Sequence, residues 1–253
     1  MNKTLPIFAA VATSLALAAC TGGRSPIPRA AIDRALSSAP YAAQPSLVVA
    51  REVEFARAAR EDGQWTAFRA FAANDAVIHG RGGPVPAGQV IAGLSDPPEP
   101  TQWSPRTVLM SCDGKLAVSR GRFLDPEGYV GTYVTVWSRE DYDDEYHWVY
   151  DVGGRDDPQP SSEEAEESTI VVTAYDDIHG LVADCPRGGA EVPSAPFVGP
   201  PASGRAGEQT SPDGTLRWRW EHWADGTKYV RADYYTSGAW ETVIEESLAS
   251  PPR

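Results

Sequence analysis

The sequence predicts an α+β fold, with N-terminal helices packed on an antiparallel sheet and an additional C-terminal antiparallel β-segment. Three observations lead there. Ser46–Asp62 carries apolar residues at helical spacing. Trp103 to Asp151 then holds four strand-like runs, parted by Cys-Asp-Gly, Asp-Pro-Glu-Gly and an acidic loop. No helical run interrupts those strands, so they read as an antiparallel meander rather than βαβ units.

Residues 1–19 read as a processing signal. Lys3 supplies the positive charge, and Leu5 to Ala16 is apolar but short for a membrane span. The stretch ends in Leu17-Ala18-Ala19-Cys20, which resembles a bacterial lipobox. The resemblance implies cleavage before Cys20 and a diacylglycerol on its thiol, so that the partner is a membrane reached through that lipid. Thr21 in place of Asp implies outer-membrane sorting, with the protein facing the periplasm. The alternative is an ordinary secretory signal with an incidental Cys20. Residues 20–45, with Gly22-Gly23, Pro26, Pro28, Pro40 and Pro45, are expected to form a lipidated tether.

Ser46–Asp62 is the first expected helix, with Ser46 as cap and Gly63 as stop. Val48, Val49, Val53, Phe55, Ala56 and Ala59 form its apolar stripe. Glu52 lies inside that stripe. Either its carboxylate is aimed into a cavity, or it sits at the edge of the stripe and pairs with an arginine such as Arg69 or Arg120. Gln64–Ala73 is a second helix anchored by Trp65, Phe68 and Phe71. Asp75–His79 is a short strand. A lone His79 beside a glycine loop reads as a surface or hydrogen-bonded residue. That loop lacks the strand-to-helix context of a phosphate site. Pro86–Leu94 is read as a short helix ended by Pro97, Pro98 and Pro100.

Within the meander, Asp113-Gly114 signals a hairpin between Thr107–Cys112 and Lys115–Arg122. Tyr129–Ser138 is the strongest strand. Val130, Thr132, Val134 and Val136 share one face; Tyr129, Gly131, Tyr133, Thr135 and Trp137 share the other. Neither face suits water, so cover is expected on both: helices on one, the C-terminal segment on the other. Tyr146–Asp151 closes the meander.

This order of elements resembles the nuclear transport factor 2-like, or SnoaL-like, α+β cone. Wording in Glu52-Val53-Glu54-Phe55-Ala56, Thr66-Ala67-Phe68, Asn74-Asp75-Ala76-Val77, Trp103-Ser104-Pro105, Ser111-Cys112-Asp113-Gly114-Lys115-Leu116-Ala117-Val118 and Thr135-Val136-Trp137 is similar to a branch of bacterial exported proteins. The resemblance covers 46–154 and implies a pocket between a curved antiparallel sheet and helices. It also implies that some members are isomerases, cyclases or dehydratases. Glu52, Tyr133, Trp137, His147 and Asp151 are the candidate pocket residues. No catalytic set maps onto them residue by residue, and fold alone assigns no reaction.

Residues 155–168 read as an acidic linker without the order of an EF-hand loop. The rest, 169–253, is expected to be β-rich. Strands are expected at Thr169–Ala174, His179–Cys185, Thr215–Trp223, Thr227–Tyr235 and Ala239–Glu245. A mobile Gly/Pro-rich loop is expected near 187–211. Trp218, Trp220 and His222 share a face that needs cover, either from the first sheet or from a partner.

With Cys20 acylated, Cys112 and Cys185 remain. An exported pair reads as a disulfide, the alternative being two buried thiols. Neither has ligand spacing for a metal, and no cofactor is expected. A formal net charge of −13 argues against nucleic-acid binding. Two functions stay open. One is a non-enzymatic envelope lipoprotein that binds a small apolar ligand or an envelope protein. The other is a periplasmic SnoaL-like enzyme with Glu52 as base and Tyr133 or His147 as donor.

Overall fold

The computed structural model describes residues 43–160, 178–186, 191–195 and 204–250. Helix α1 spans Pro45–Glu61, α2 Gln64–Phe71 and α3 Ala87–Ile91. Ser46 does not cap α1. Pro45 occupies the first turn, where its fixed φ suits a helix start and its missing N–H costs nothing. Gly63, at φ +109, turns the chain into α2. The cap of α2 comes from afar: Asp96 Oδ1 accepts the Trp65 amide at 2.6 Å, and Oδ2 accepts the Thr66 hydroxyl at 2.7 Å.

The α1 stripe is rotated from the expected one. Val53 is 52% exposed, whereas Glu52 is buried with Val48, Phe55, Ala56 and Ala59. A carboxyl can take the inward position because polar groups on the sheet meet it there.

The first sheet has seven strands: β1 Ala72–Gly80, β2 Gly83–Pro86, β3 Gln102–Met110, β4 Leu116–Leu124, β5 Val130–Ser138, β6 His147–Arg155 and β7 His179–Val182. Their order is β2-β1-β6-β5-β4-β3-β7. β3 to β6 form the antiparallel meander. The sheet as a whole is mixed, because β1 joins β6 in parallel and β7 joins β3 in parallel. The fold is therefore α+β, with an antiparallel centre and parallel pairings on both sides of it.

The second sheet has four strands: β8 Arg205–Thr210, β9 Leu216–His222, β10 Lys228–Thr236 and β11 Ala239–Leu248. β8 lies inside the stretch expected to be a mobile loop. Its Arg-Ala-Gly-Glu-Gln-Thr sequence has no strand period, because it is an exposed edge strand whose register is set by the turn after it. The strand expected at Thr169–Ala174 lies outside the described residues.

β5 is buried on both faces. Val134 and Val136 pack with Leu109, Val118, Trp218, Val230 and Ile244, under the second sheet. Trp137 packs with Phe55, Phe71 and Ala117, under α1 and α2. The aromatic face of β9 is thus covered by the first sheet, and the Trp218 and Tyr150 rings lie 4.6 Å apart.

Two similar turns join the sheets. In Ser111–Leu116, Ser111 Oγ donates to Asp113 Oδ1 at 2.6 Å and accepts the Leu116 amide at 3.1 Å. Ser211–Leu216 repeats both bonds, at 2.6 and 3.0 Å. The turns dock on each other: the Asp113 amide donates to Asp213 Oδ2 at 2.7 Å, and the Cys112 amide to Thr215 Oγ1 at 2.9 Å. Cys112 is bonded to Cys185 at this corner, with Cα atoms 5.1 Å apart.

Candidate functional site

The site grows from the pairing of β4 with β5. Its register sets Ala117 against Trp137, Ser119 against Thr135, Gly121 against Tyr133 and Phe123 against Gly131. Each large side chain faces a small one. A Cβ on Gly121 would come within 2.5 Å of Tyr133 Cε1, and one on Gly131 within 2.3 Å of Phe123 Cζ. The rings therefore lie over the glycines, and this shapes the floor of a cavity between the first sheet and the helices.

The cavity, about 250 Å³, is lined by Phe55, Phe68, Trp103, Phe123, Tyr133, Thr135 and Asp151, with Gln64, Thr101 and Gly153. The Phe55 ring lies 4.8 Å from both Phe68 and Trp103, so three rings form one continuous wall. Asp151 is the charged residue of the lining. Thr135 Oγ1 donates to its Oδ2 at 2.7 Å. Burial raises its pKa to about 6, against the Thr135 hydrogen bond and the nearby Lys228, which lower it. Lys228 comes from β10 and donates to the Gly153 carbonyl at 2.6 Å. Its pKa falls to about 8, because burial outweighs the attraction of Asp151.

Glu52 lies behind this wall, 1% exposed. It pairs with neither Arg69 nor Arg120. Arg69 reaches the Ile91 carbonyl, and Arg120 is held by Glu246. Instead, Tyr133 donates to Glu52 Oε2 at 3.3 Å and Trp137 Nε1 donates to Oε1 at 3.0 Å, while Ser119 Oγ also touches Oε1. Burial drives the Glu52 pKa to about 7; the bonds from Ser119 and Trp137 oppose that rise, and Asp151 adds to it. Ser119 Oγ also stands 3.2 Å from the Thr135 carbonyl. One hydroxyl proton cannot serve both acceptors. When Glu52 is protonated it can donate to Ser119, which is then free to donate to Thr135. Burial and the Glu52 charge push the Tyr133 hydroxyl well above its ordinary value.

Of the candidates read from the sequence, Glu52, Tyr133 and Trp137 are brought into contact. Tyr133 and Asp151 share the cavity wall. His147 belongs elsewhere. Strict alternation would set it on the face of Asp151, but a bulge interrupts β6: Val136 pairs with Tyr150 and Trp137 with Trp148. The extra residue, Val149, reverses the parity of the strand. His147 then opens, with Val149 and Tyr150, into a separate depression of about 1100 Å³ at the edges of the two sheets. That depression is larger, but it contains none of the strongly shifted carboxyls. Ser119, Gly121, Phe123 and Trp103 were missed as site residues. For Ser119 and Gly121 the signal is the small-residue series Ala117-x-Ser119-x-Gly121, set one strand away from Trp137, Thr135 and Tyr133.

A second polar cluster lies between the sheets. His79 is 2% exposed; its Nδ1 is 2.6 Å from the Tyr150 hydroxyl and its Nε2 is 3.1 Å from His222 Nδ1. Burial, with His222 second, lowers its pKa to about 3. Among the described residues, no group of three or more His, Cys, Asp or Glu side chains is placed to hold a metal ion.

No known family model matches the chain, and no curated protein matches it. Among solved structures, a proposed aromatic ring hydroxylase from Novosphingobium aromaticivorans aligns at 14% identity over 47% of this chain and 94% of its own, with a TM-score of 0.31. That likeness is too slight to bear on fold or chemistry.

Proposed function

We propose that the chain is a lipid-anchored envelope protein whose 46–154 region is a nuclear transport factor 2-like cone that binds a small, mainly apolar ligand. One observation carries this reading: the aromatic cavity that ends at Asp151. The order of helices and meander supports the cone. Leu17-Ala18-Ala19-Cys20 supports the anchor, and Thr21 in place of Asp supports an outer-membrane location facing the periplasm. None of the described helices is long and apolar enough to cross a membrane. Binding without turnover is favoured because the Tyr133 hydroxyl is committed to Glu52 and Glu52 itself does not line the cavity.

A second reading, a SnoaL-like isomerase or dehydratase, has one specific support. Asp151, with a pKa of about 6, lines the cavity beside Tyr133, a pairing suited to proton transfer. Glu52, the base named from sequence, is sealed away from any substrate there.

The test uses Gly153. A Cβ there meets Phe123 at an ordinary 3.5 Å, and the two methyls of Gly153→Val should extend beyond it and narrow the cavity. N-phenyl-1-naphthylamine, a neutral apolar dye, should bind the mature protein at one saturable site and lose it in Gly153→Val. Dye binding that is indifferent to this variant would overturn the reading. Co-purification of a substrate together with its isomer or dehydrated product, abolished by Asp151→Asn, would favour the enzyme.

A further inference from the structure

We propose that the cavity ligand is an organic cation, an aryl or alkyl ammonium compound whose charged nitrogen pairs with Asp151 while its apolar part lies against Phe55, Phe68 and Trp103. The proposal rests on the apolar-ligand reading above and names the ligand's chemistry.

The lining decides the sign of the charge. Asp151 is its one charged side chain, and no Lys or Arg lines the cavity. Lys228, the nearest cation, is turned to the Gly153 carbonyl and makes no ion pair with Asp151 among the described residues. Asp151 Oδ2 takes the Thr135 hydroxyl, and Oδ1 takes no hydrogen bond from any described residue. A carboxylate held in an aromatic enclosure with one oxygen open is a counter-ion in want of a cation. Ring faces add to this, because their quadrupole attracts positive charge and repels anions. An anionic ligand would meet both the carboxylate and the ring faces. A neutral hydrocarbon would leave Oδ1 without a partner.

Asp151 is ionised at neutral pH, given its pKa of about 6. The groups that face it are Glu52 from α1, Tyr133 and Thr135 from β5, Tyr150 beside it on β6 and Lys228 from β10. Of these, Glu52, at about 7, and Lys228, at about 8, also titrate near neutrality, and Lys228 is already protonated by the time pH falls to 6. A cation should therefore bind more weakly as pH falls through about 6, and should do so equally in Glu52→Gln.

The test compares benzyltrimethylammonium with neopentylbenzene, its neutral carbon isostere, by intrinsic tryptophan fluorescence of the mature protein. The cation should bind at least roughly tenfold more tightly at pH 7.5, and that preference should vanish in Asp151→Asn. The isostere comparison and the pH profile on the wild type need no variant, so the proposal stays testable if Asp151→Asn fails to fold. Equal affinity for the two probes, or a cation affinity that does not change between pH 7.5 and 5, overturns the cation proposal and leaves the apolar site standing. Failure of the wild-type protein to bind N-phenyl-1-naphthylamine as well overturns both.

Discussion

The Tyr133 hydroxyl donates to Glu52 Oε2 at 3.3 Å, and that contact separates a sealed carboxyl from an open cavity. Tyr133 is shared between the two: its ring lines the cavity and its oxygen faces the helix. The two carboxyls of this region therefore differ in kind. Glu52 is a buried acid whose donors come from the core, whereas Asp151 meets whatever enters the cavity.

Glu52 should make the protein less stable as pH rises. Its pKa climbs from 4.5 to about 7 on folding, so the native state keeps a proton that the unfolded chain has released. By linkage, stability falls as pH rises between about 4.5 and 7, and the full loss, on the order of 3 kcal/mol, is present above that window. Glu52→Gln keeps the shape and has no charge to bury. Urea unfolding should show the variant close to wild type at pH 4.5 and more stable at pH 8. Parallel pH profiles for the two proteins would show that Glu52 is ionised in the fold without cost.

Gly121→Ala should disrupt the floor of the cavity. The new Cβ would lie 2.2 Å from the Ser104 carbonyl oxygen and 2.5 Å from Tyr133 Cε1. The backbone cannot yield without disturbing the β3–β4 pairing, so a destabilisation of about 1–3 kcal/mol is expected. Gly153→Ala, whose Cβ meets nothing closer than 3.5 Å, should unfold within about 0.5 kcal/mol of wild type. Equal denaturation midpoints for the two variants would contradict the packing described here.

Cys20→Ser should release the protein from the membrane fraction. The expectation stands on Leu17-Ala18-Ala19-Cys20 after an apolar stretch. Mass spectrometry of the wild-type protein should find a diacylglyceryl group on Cys20 and nothing upstream of it. An unmodified Cys20, with membrane association unchanged in the variant, would remove the anchor from the proposed function.

Much of the central sheet was legible because β5 is rich in β-branched and aromatic residues and the turns of the meander carry Asp-Gly and Pro-Glu-Gly. The cover on both faces of β5 followed from the apolar character of both its sides. What escaped was set by features without a local period. β8 has no apolar alternation, and its pairing is fixed by the turn at Ser211–Leu216. The bulge at Val149 is silent in the sequence and moved His147 off the face of Asp151. The Glu52 partners were half legible: Tyr133 and Trp137 share a strand face, but Ser119 emerges only once the register opposes it to Thr135. The two similar turns could have been found by comparing Ser-Cys-Asp-Gly-Lys-Leu with Ser-Pro-Asp-Gly-Thr-Leu.

Removing the disulfide should loosen one corner of the molecule rather than the whole. Cys112 lies in the Ser111–Leu116 turn, and Cys185 follows residues bound to both sheets. The Ala183 amide donates to the Met110 carbonyl at 2.9 Å, and the Asp184 amide to the Tyr235 carbonyl at 2.8 Å. The bond closes a sequence separation of 73, which on the chain-entropy account is about 4 kcal/mol of restriction on the unfolded state. Cys112→Ser with Cys185→Ser should therefore lower the denaturation midpoint. The docked turns keep their Asp113–Asp213 and Cys112–Thr215 bonds, so local opening should concentrate where the covalent tie was the main restraint. Amide exchange should quicken most in β7 and in 183–185, less in the Ser211–Leu216 turn, and least in β5, which is buried on both faces. Exchange that quickens as much in β5 as in β7 would show that the bond supports global stability alone. An unchanged midpoint would show that the two thiols are not joined in the protein as isolated.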